Sequence, residues 1–415
     1  MHKSVDLSIA FSYAFWVIAN TIRMDYFKVA KKIEEEIIQN RRWLHEHAEV
    51  GFNTPKTLGF IKEKLVSYGY EIEEIGRAGV RVCIDKGNTA VMLRADIDGL
   101  PIKEQTGLSY ACKHGNMHAC GHDMHTAILL GVARLLKENE RLLTQSVILF
   151  FQTAEERLEG AKNAIEKGLF DKKISCAVTL HVLVGSNFES GSVIVPTGGV
   201  VAPSADYFNI EITGKACHGS APQDGVDATL VASYLLLAMQ SLITREVGGQ
   251  SLAVMTVGRL QSGSAGNVIS QKAEMEGTLR TLDERIREIL KTRLTELSKQ
   301  TAKSFRAKAS VKFTSGCPSL LINEEVSAEL KACAEKALGK QAVINFDRLP
   351  KGGIGGSEDF AYISREVPSA TFALCAGNRE EGYRYPLHHS KVQFDETCLV
   401  YGCATLLAFA LSKEK

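Results

Sequence analysis

The feature that most limits the fold is a set of short apolar runs at residues 80–84, 91–95, 147–151 and 178–181, separated by stretches of helical spacing. Apolar runs of this length are too short for core helices and read as strands covered on both faces. The stretches between them supply helices. Ile33, Ile37, Trp43 and Leu44, then Leu58, Ile61 and Leu65, recur at helical spacing within 25–70, and 126–137 is strongly amphipathic. Strands alternating with helices imply an α/β core, a central mixed sheet with helices on both faces.

After Pro203 the pattern changes. Residues 207–212, 252–260, 274–280 and 309–313 alternate polar and apolar, while 228–245 and 283–299 have helical character. The order strand–helix–strand–strand–helix–strand is that of a ferredoxin-like α+β unit. A further buried run at 370–374 returns to the texture of the first part. The expected organisation is an N-terminal extension at 1–23, a main domain formed by 24–203 and 315–415, and an inserted unit at 204–314. The extension carries a sixteen-residue apolar run, 7–22, broken by Ser8, Ser12 and Asn20. It is short for a membrane span and has no convincing cleavage site for a secretion signal, and Met24 opens a natural start.

With 49 basic and 48 acidic residues, the chain shows no charge excess suited to nucleic acid or an anionic membrane. A small-molecule enzyme fits this balance. Ten cysteines in 415 residues could suggest disulfides. However, Cys83, Cys176 and Cys375 lie in strand-like runs where cysteine acts as a small buried hydrophobe, and a chain this large needs no staples. Nine of the ten are expected to be free and mostly buried, and the location cytoplasmic. Cys120 stands apart.

Five segments carry chemistry, each expected where a buried strand ends, the usual place for ligand sites in open α/β sheets. Arg94-Ala95-Asp96-Ile97-Asp98-Gly99-Leu100-Pro101 brings two carboxylates. Met117-His118-Ala119-Cys120-Gly121-His122-Asp123-Met124-His125 packs three imidazoles, a thiol and an acid together, a combination favoured by zinc-like ions. Phe151-Gln152-Thr153-Ala154-Glu155-Glu156 places two acids that point apart, so that one can bind metal while the other acts as a base. Leu180-His181-Val182 and Leu387-His388-His389-Ser390 complete the set. Apart from the histidine cluster, each alone reads equally as a turn or a structural residue.

Together the segments resemble the aminoacylase/carboxypeptidase metallopeptidases, in the branch of hippurate hydrolases, N-acyl-amino-acid amidohydrolases and auxin-conjugate hydrolases. The resemblance runs from about residue 25 to the end. It also takes in Arg42-Trp43-Leu44-His45, Gly51-Phe52, Gly214-Lys215 with His218, Gly266-Asn267-Val268-Ile269, Gly277-Thr278-Leu279-Arg280 and Gly356-Ser357-Glu358-Asp359-Phe360. It implies that Cys120, His122, Glu156, His181 and His388 hold two divalent metals (Zn, Mn, Co or Ni), with Cys120 bridging. His388 is preferred to His389 because the family's ligand directly follows the leucine. Glu155 would be the general acid/base, Asp98 would orient a ligand, and Asp96 receives no firm role.

The inserted unit resembles a lid and dimerisation domain. From it, His218 would reach a partner subunit's site and steady the developing oxyanion. Asn267 and Arg280 would hold the substrate carboxylate, and Gly356, with the glycines at 352, 353 and 355, would let backbone approach the substrate. The implied partners are a small N-acyl amino acid and a second copy of the chain, as a homodimer or dimer-based oligomer. Departures from the pattern are Ala48, Thr153, Ala216-Cys217 and Ser390. None removes a ligand or the base; they bear on substrate preference. The competing readings are a dipeptidase or carboxypeptidase with the same site, a silent metal-binding homologue, and a Cys120-nucleophile hydrolase.

Overall fold

The structure is a computed structural model that describes residues 24–248, 251–346 and 356–412. The N-terminal extension and the glycines at 352, 353 and 355 lie outside the described residues. Every residue of β4 (Ser146–Gln152) is buried, and β3 (Thr89–Asp96) is buried from its second residue on. These two lie parallel inside an eight-stranded mixed sheet with the remaining strands β1 (Glu73–Glu74), β2 (Gly79–Ile84), β5 (Lys173–Leu183), β6 (Val193–Pro196), β15 (Val343–Phe346) and β16 (Ser369–Cys375). The order is β1-β2-β4-β3-β5-β16-β6-β15. Parallel pairing of β4, β3, β5 and β16 at the centre explains the unbroken apolar runs, because helices cover both faces there. The helices Glu34–Glu46, His122–Glu138 and Leu399–Ser412 pack together on the sheet, while Gly160–Glu166 and Phe360–Glu366 form a separate packed pair.

Three local expectations needed correction. The helical stretch 25–70 is broken between His47 and Thr54, where Gly51 takes a left-handed φ of 63° and Val50 bridges to Gly99 before Pro55 restarts a helix. The helix expected over 228–245 is α-helical for Ala228–Ser241 and ends in a π-helical turn, Leu242–Glu246. Cys83 is exposed despite its strand, because β2 is flanked on its outer side only by the two-residue β1.

A second sheet of β8 (Ser204–Thr213), β10 (Ala253–Ser262), β12 (Lys272–Thr281) and β13 (Lys308–Cys317) is wholly antiparallel, ordered β10-β12-β8-β13. Helices Ala228–Ser241 and Glu284–Ser304 cover one face. They enclose a core of Phe208, Ile210, Leu235, Met275, Leu290 and Leu294 that is separate from the main one. This is the ferredoxin-like arrangement. A small two-stranded antiparallel ladder of β9 (Cys217–His218) and β11 (Val268–Ile269) adjoins it, and β7 (Gly199–Ala202) pairs with β14 (Leu320–Ile322) at its root. Among the described residues one helical segment, Ala228–Glu246, has the length and composition to cross a membrane; it is the segment packed on this second sheet.

Candidate metal centre

Registration of β3 against β4 places Asp96 beside Gln152, and Ile97 then donates to the Gln152 carbonyl at 2.8 Å. The two chains leave the sheet side by side, so Asp98 accepts the Glu155 N–H at 3.0 Å. Gly121 sits at φ +85°, where a Cβ would come within 2.3 Å of Val182, and this turn starts the helix His122–Glu138 against β5. His122 and His125 therefore share a face. His125 Nδ1 donates to Asp96 at 2.6 Å, and its Nε2 accepts the Val182 N–H at 2.9 Å.

Five donors converge. Cys120 Sγ lies 3.4 Å from His181 Nε2 and 3.3 Å from His388 Nε2. His388 Nε2 is 3.4 Å from Glu156 Oε1, and His122 Nε2 is 3.9 Å from the same oxygen. The remaining ring nitrogens of His122 and His181 are held by the Asp98 and Val182 carbonyls, each at 2.8 Å, which turns the Nε2 atoms inward. His388 adopts a left-handed φ of 64°, costly for a residue with a Cβ and tolerated where surrounding structure demands it. His389 instead stacks on Tyr385 at 4.5 Å.

Two buried atoms pointing into this space, His122 Nε2 and Glu156 Oε1, have no hydrogen-bond partner among the described residues. Orphaned buried acceptors are expensive unless something binds them. The triads Cys120/His122/His181 and Cys120/Glu156/His388 share the thiol, with donor atoms within 4.8 Å of one another in each. Thiolate, imidazole and carboxylate in that arrangement suit two transition-metal or zinc ions. Burial pushes the Cys120 thiol up, but His181 and His122 outweigh it and bring its pKa down to about 6. The adjacent Cys120 thiolate and Glu156 carboxylate raise His388 to about 10, and Cys120 lifts His181 to about 9 against its burial. The cluster holds a thiolate among cations, the charge pattern a divalent ion would replace.

Glu155 lies beside the ligands, its Oε2 3.9 Å from His122 Nε2. Burial, then Glu358, Glu156 and Asp359, hold its carboxyl well above the usual range. Beneath it is a brace. The fully buried Arg94 meets Asp96 at 2.7 Å, Asp359 at 3.0 Å and Glu358 at 3.1 Å, and Gln152 donates to Asp359 at 2.7 Å. Sequence reasoning assigned no part to Arg94, His125 or Asp359. A charge inside the apolar run 91–95 and the His122/His125 spacing were the available signals.

Of the five segments, only those of Asp96/Asp98 and Glu155/Glu156 leave the ends of strands. His181 lies within β5, Cys120 precedes a helix, and His388 sits in a loop, so helix starts and loops complete a site that strand ends begin. The residues of the second unit lie apart. His218 is exposed on β9, its Nδ1 2.7 Å from Ser220 Oγ, and Asn267 is exposed beside it, its carbonyl accepting the Gly219 N–H at 2.7 Å. Arg280 reaches back across the gap and donates to Ser357 at 2.8 Å. Gly356 is exposed, and a Cβ there would meet open space.

A model of peptidase family M20/M25/M40 matches residues 92–412. The chain belongs to this family. The M20 chain is 38% identical to an N-acetyl-L-cysteine deacetylase of Bacillus subtilis, over 89% of this chain and 86% of that one. It is 33% identical to the hippurate hydrolase of Campylobacter jejuni, over 91% and 97%. A Bacillus subtilis structure described as a dinuclear metal-binding peptidase of the M20 family superposes with a TM-score of 0.74 at 29% identity, covering 92% of this chain and 98% of that one. This M20 protein is accordingly a hydrolase of a metallopeptidase family, and its Cys120 cluster is the candidate metal centre.

Proposed function

We propose that this M20 hydrolase cleaves the amide of N-acyl-L-amino acids, hippurate-like or N-acetylated, at a dinuclear centre held by Cys120, His122, Glu156, His181 and His388. The observation that carries the reading is the shared-thiol pair of triads, with two unpartnered donor atoms, directly beside Glu155. Bound divalent ions would supply an activated water and a polarised scissile carbonyl. Glu155 takes the proton from water and returns it to the leaving amine. Asp98 positions both partners in this exchange, through its carboxylate to the Glu155 N–H and its carbonyl to His122. The raised pKa of Glu155 suits a group that must carry a proton between steps.

The second unit acts as lid and dimer surface in this reading. Leu230, Tyr234 and Leu237 on one helix and Val254 and Leu260 on the edge strand β10 are exposed apolar residues on one unit. Covering them with a second copy would bring the partner's His218 to the oxyanion, with Asn267 and Arg280 at the substrate carboxylate. A thiolate ligand at Cys120 suits a reducing, cytoplasmic setting.

The test is metal content together with release of free amino acid from N-acetyl, N-benzoyl and N-indolylacetyl amino acids, with unblocked dipeptides alongside. The expected result is about two metals per chain, activity abolished by chelator, and a kcat lowered about 10²–10⁴-fold in Glu155→Gln with metal retained. Preference for unblocked dipeptides would make the enzyme a peptidase, and activity surviving chelation would return the chemistry to Cys120.

A further inference from the structure

Away from the five donors, a cavity of about 460 Å³ opens between the 47–56 segment, the 101–116 segment and Arg157. Four of its walls are basic: His47, Lys56, His114 and Arg157. The lining acid, Glu49, is committed elsewhere, since its Oε2 accepts both the backbone N–H and the hydroxyl of Thr57 at 2.9 and 3.0 Å. Lys56, His114 and Arg157 form no ion pair among the described residues. His47 is held in place by stacking on Trp43, ring centroids 4.1 Å apart, and by its Nδ1 donating to the Trp43 carbonyl at 2.8 Å.

The placement of Arg157 is specified by its neighbour. It lies across Gly51, where a Cβ would come within 2.4 Å of the Arg157 Nε. A side chain at 51 would evict the guanidinium from the wall. The cavity is also tied to the metal centre through the backbone at two points. Arg157 directly follows Glu156, and the Glu49 carbonyl accepts the N–H of Gly99, the residue after Asp98, at 2.7 Å.

We propose that this cavity binds the carboxylate or phosphate group of a small anionic molecule. Lys56 and Arg157, which have no ion-pair partner among the described residues, gain most from an anion they can share, and a guanidinium can meet carboxylate or phosphate bidentately. The volume exceeds that of one carboxylate, so the bound molecule carries a few carbons as well. The anion is either the charged end of a substrate's acyl arm or a free small anion acting beside the centre.

The metal-loaded enzyme, with Lys56→Gln, Arg157→Gln and the double variant, is titrated with succinate and with inorganic phosphate at low salt by calorimetry, metal content being measured in each. In a separate arm, kcat/KM is compared for an N-succinyl and an N-butanoyl derivative of the same amino acid, acyl arms of equal length that differ in charge. The expected result is binding weakened about tenfold or more in the double variant, weakened also in wild type by added salt. Anion bound directly to the metals would persist in the variants, so it is separable from anion in the cavity. Lys56→Gln alone, which leaves the Glu156 loop untouched, should give a smaller loss of the same kind.

If the succinyl advantage in wild type also disappears in the variants, the anion belongs to the substrate. If free anions bind but the two substrates respond alike, it belongs to a separate ligand. Equal anion binding by wild type and double variant, with equal substrate ratios, overturns the proposal. The substrate arm rests on the amidohydrolase reading, whereas the binding arm does not, so a failure of one is distinguishable from a failure of the other.

Discussion

At the catalytic end of the main sheet, Arg94, Asp96 and Asp359 are wholly buried and paired with one another, whereas on the second sheet Arg259–Glu276 and Lys272–Glu274 are pairs open to solvent. Among the described residues of the second unit, Arg287–Asp206, near its root, resembles the first kind. Burying a charge carries a large desolvation cost that is met only by close, well-satisfied partners, so a buried network fixes each carboxylate in one place. Exposed pairs cost little to make and little to break. The difference separates two roles. The main-sheet site is built, in one chain, to hold Glu155 and the proposed ligands still, while His218 and Asn267 sit on surface that can be rearranged or covered at small cost.

The largest expected effect follows from removing the centre of the brace. Arg94→Met leaves the buried Asp96 and Asp359, and the half-buried Glu358, without their cation, and should destabilise the protein by about 3–5 kcal/mol in chemical denaturation. Arg259→Gln on the second sheet should cost at most about 1 kcal/mol. Equal losses from the two would end the distinction between the sheets. Next in size, Cys120→Ala removes the donor that both triads share, and bound metal should fall from about two ions per chain toward none, read by elemental analysis. Retention of both ions would show that the thiol does not join them.

A smaller effect on stability but a distinct one on assembly is expected from Leu237→Glu. This side chain is 73% exposed, so folding stability should change by no more than about 0.5 kcal/mol. A dimer joined through that helix should nevertheless dissociate, seen by sedimentation, and activity should fall with it, as the proposed action of His218 across the interface requires. A fully active monomer would assign His218 to its own chain or to no catalytic part.

Much of this was legible in the sequence, for reasons that differ by element. The central strands announced themselves because strands buried on both faces must be continuously apolar, as β4 is. The second unit was legible from its switch to alternation. The short strands β6, β7 and β15 were not, since four residues carry no periodicity, and the helix Leu399–Ser412 is apolar nearly all round and lacks a polar face to mark it. At the site, the donor character of the Cys120 and His122 segment was visible because soft donors seldom cluster without cause, whereas Glu156, His181 and His388 were joined to it only through the family resemblance. The brace was not, because Arg94 inside an apolar run looks like an ordinary outward-facing polar residue until Asp359, 265 positions later, is seen to meet it. Long-range pairing of buried charge leaves no local pattern to read.

The smallest effect concerns a second buried network, and it tests whether satisfied burial also sets pH behaviour. His45 lies 2.8 Å from Asp123 and 3.1 Å from Glu104. Burial and the adjacent Arg41 push its pKa down, but the two carboxylates outweigh them and raise it above the ordinary histidine value. A histidine whose folded pKa is raised contributes stability that is fully present below its unfolded pKa of about 6.5 and is lost as pH climbs through the folded value. The stability gap between wild type and His45→Gln should therefore be widest near pH 6 and narrow above neutrality, measured by urea denaturation of the metal-loaded proteins. The gap stays modest because Asp123 keeps Arg41 at 2.8 Å in the variant. A gap that is flat or grows with pH would mean that His45 is neutral in the fold, and that Arg41 alone balances the acids around it.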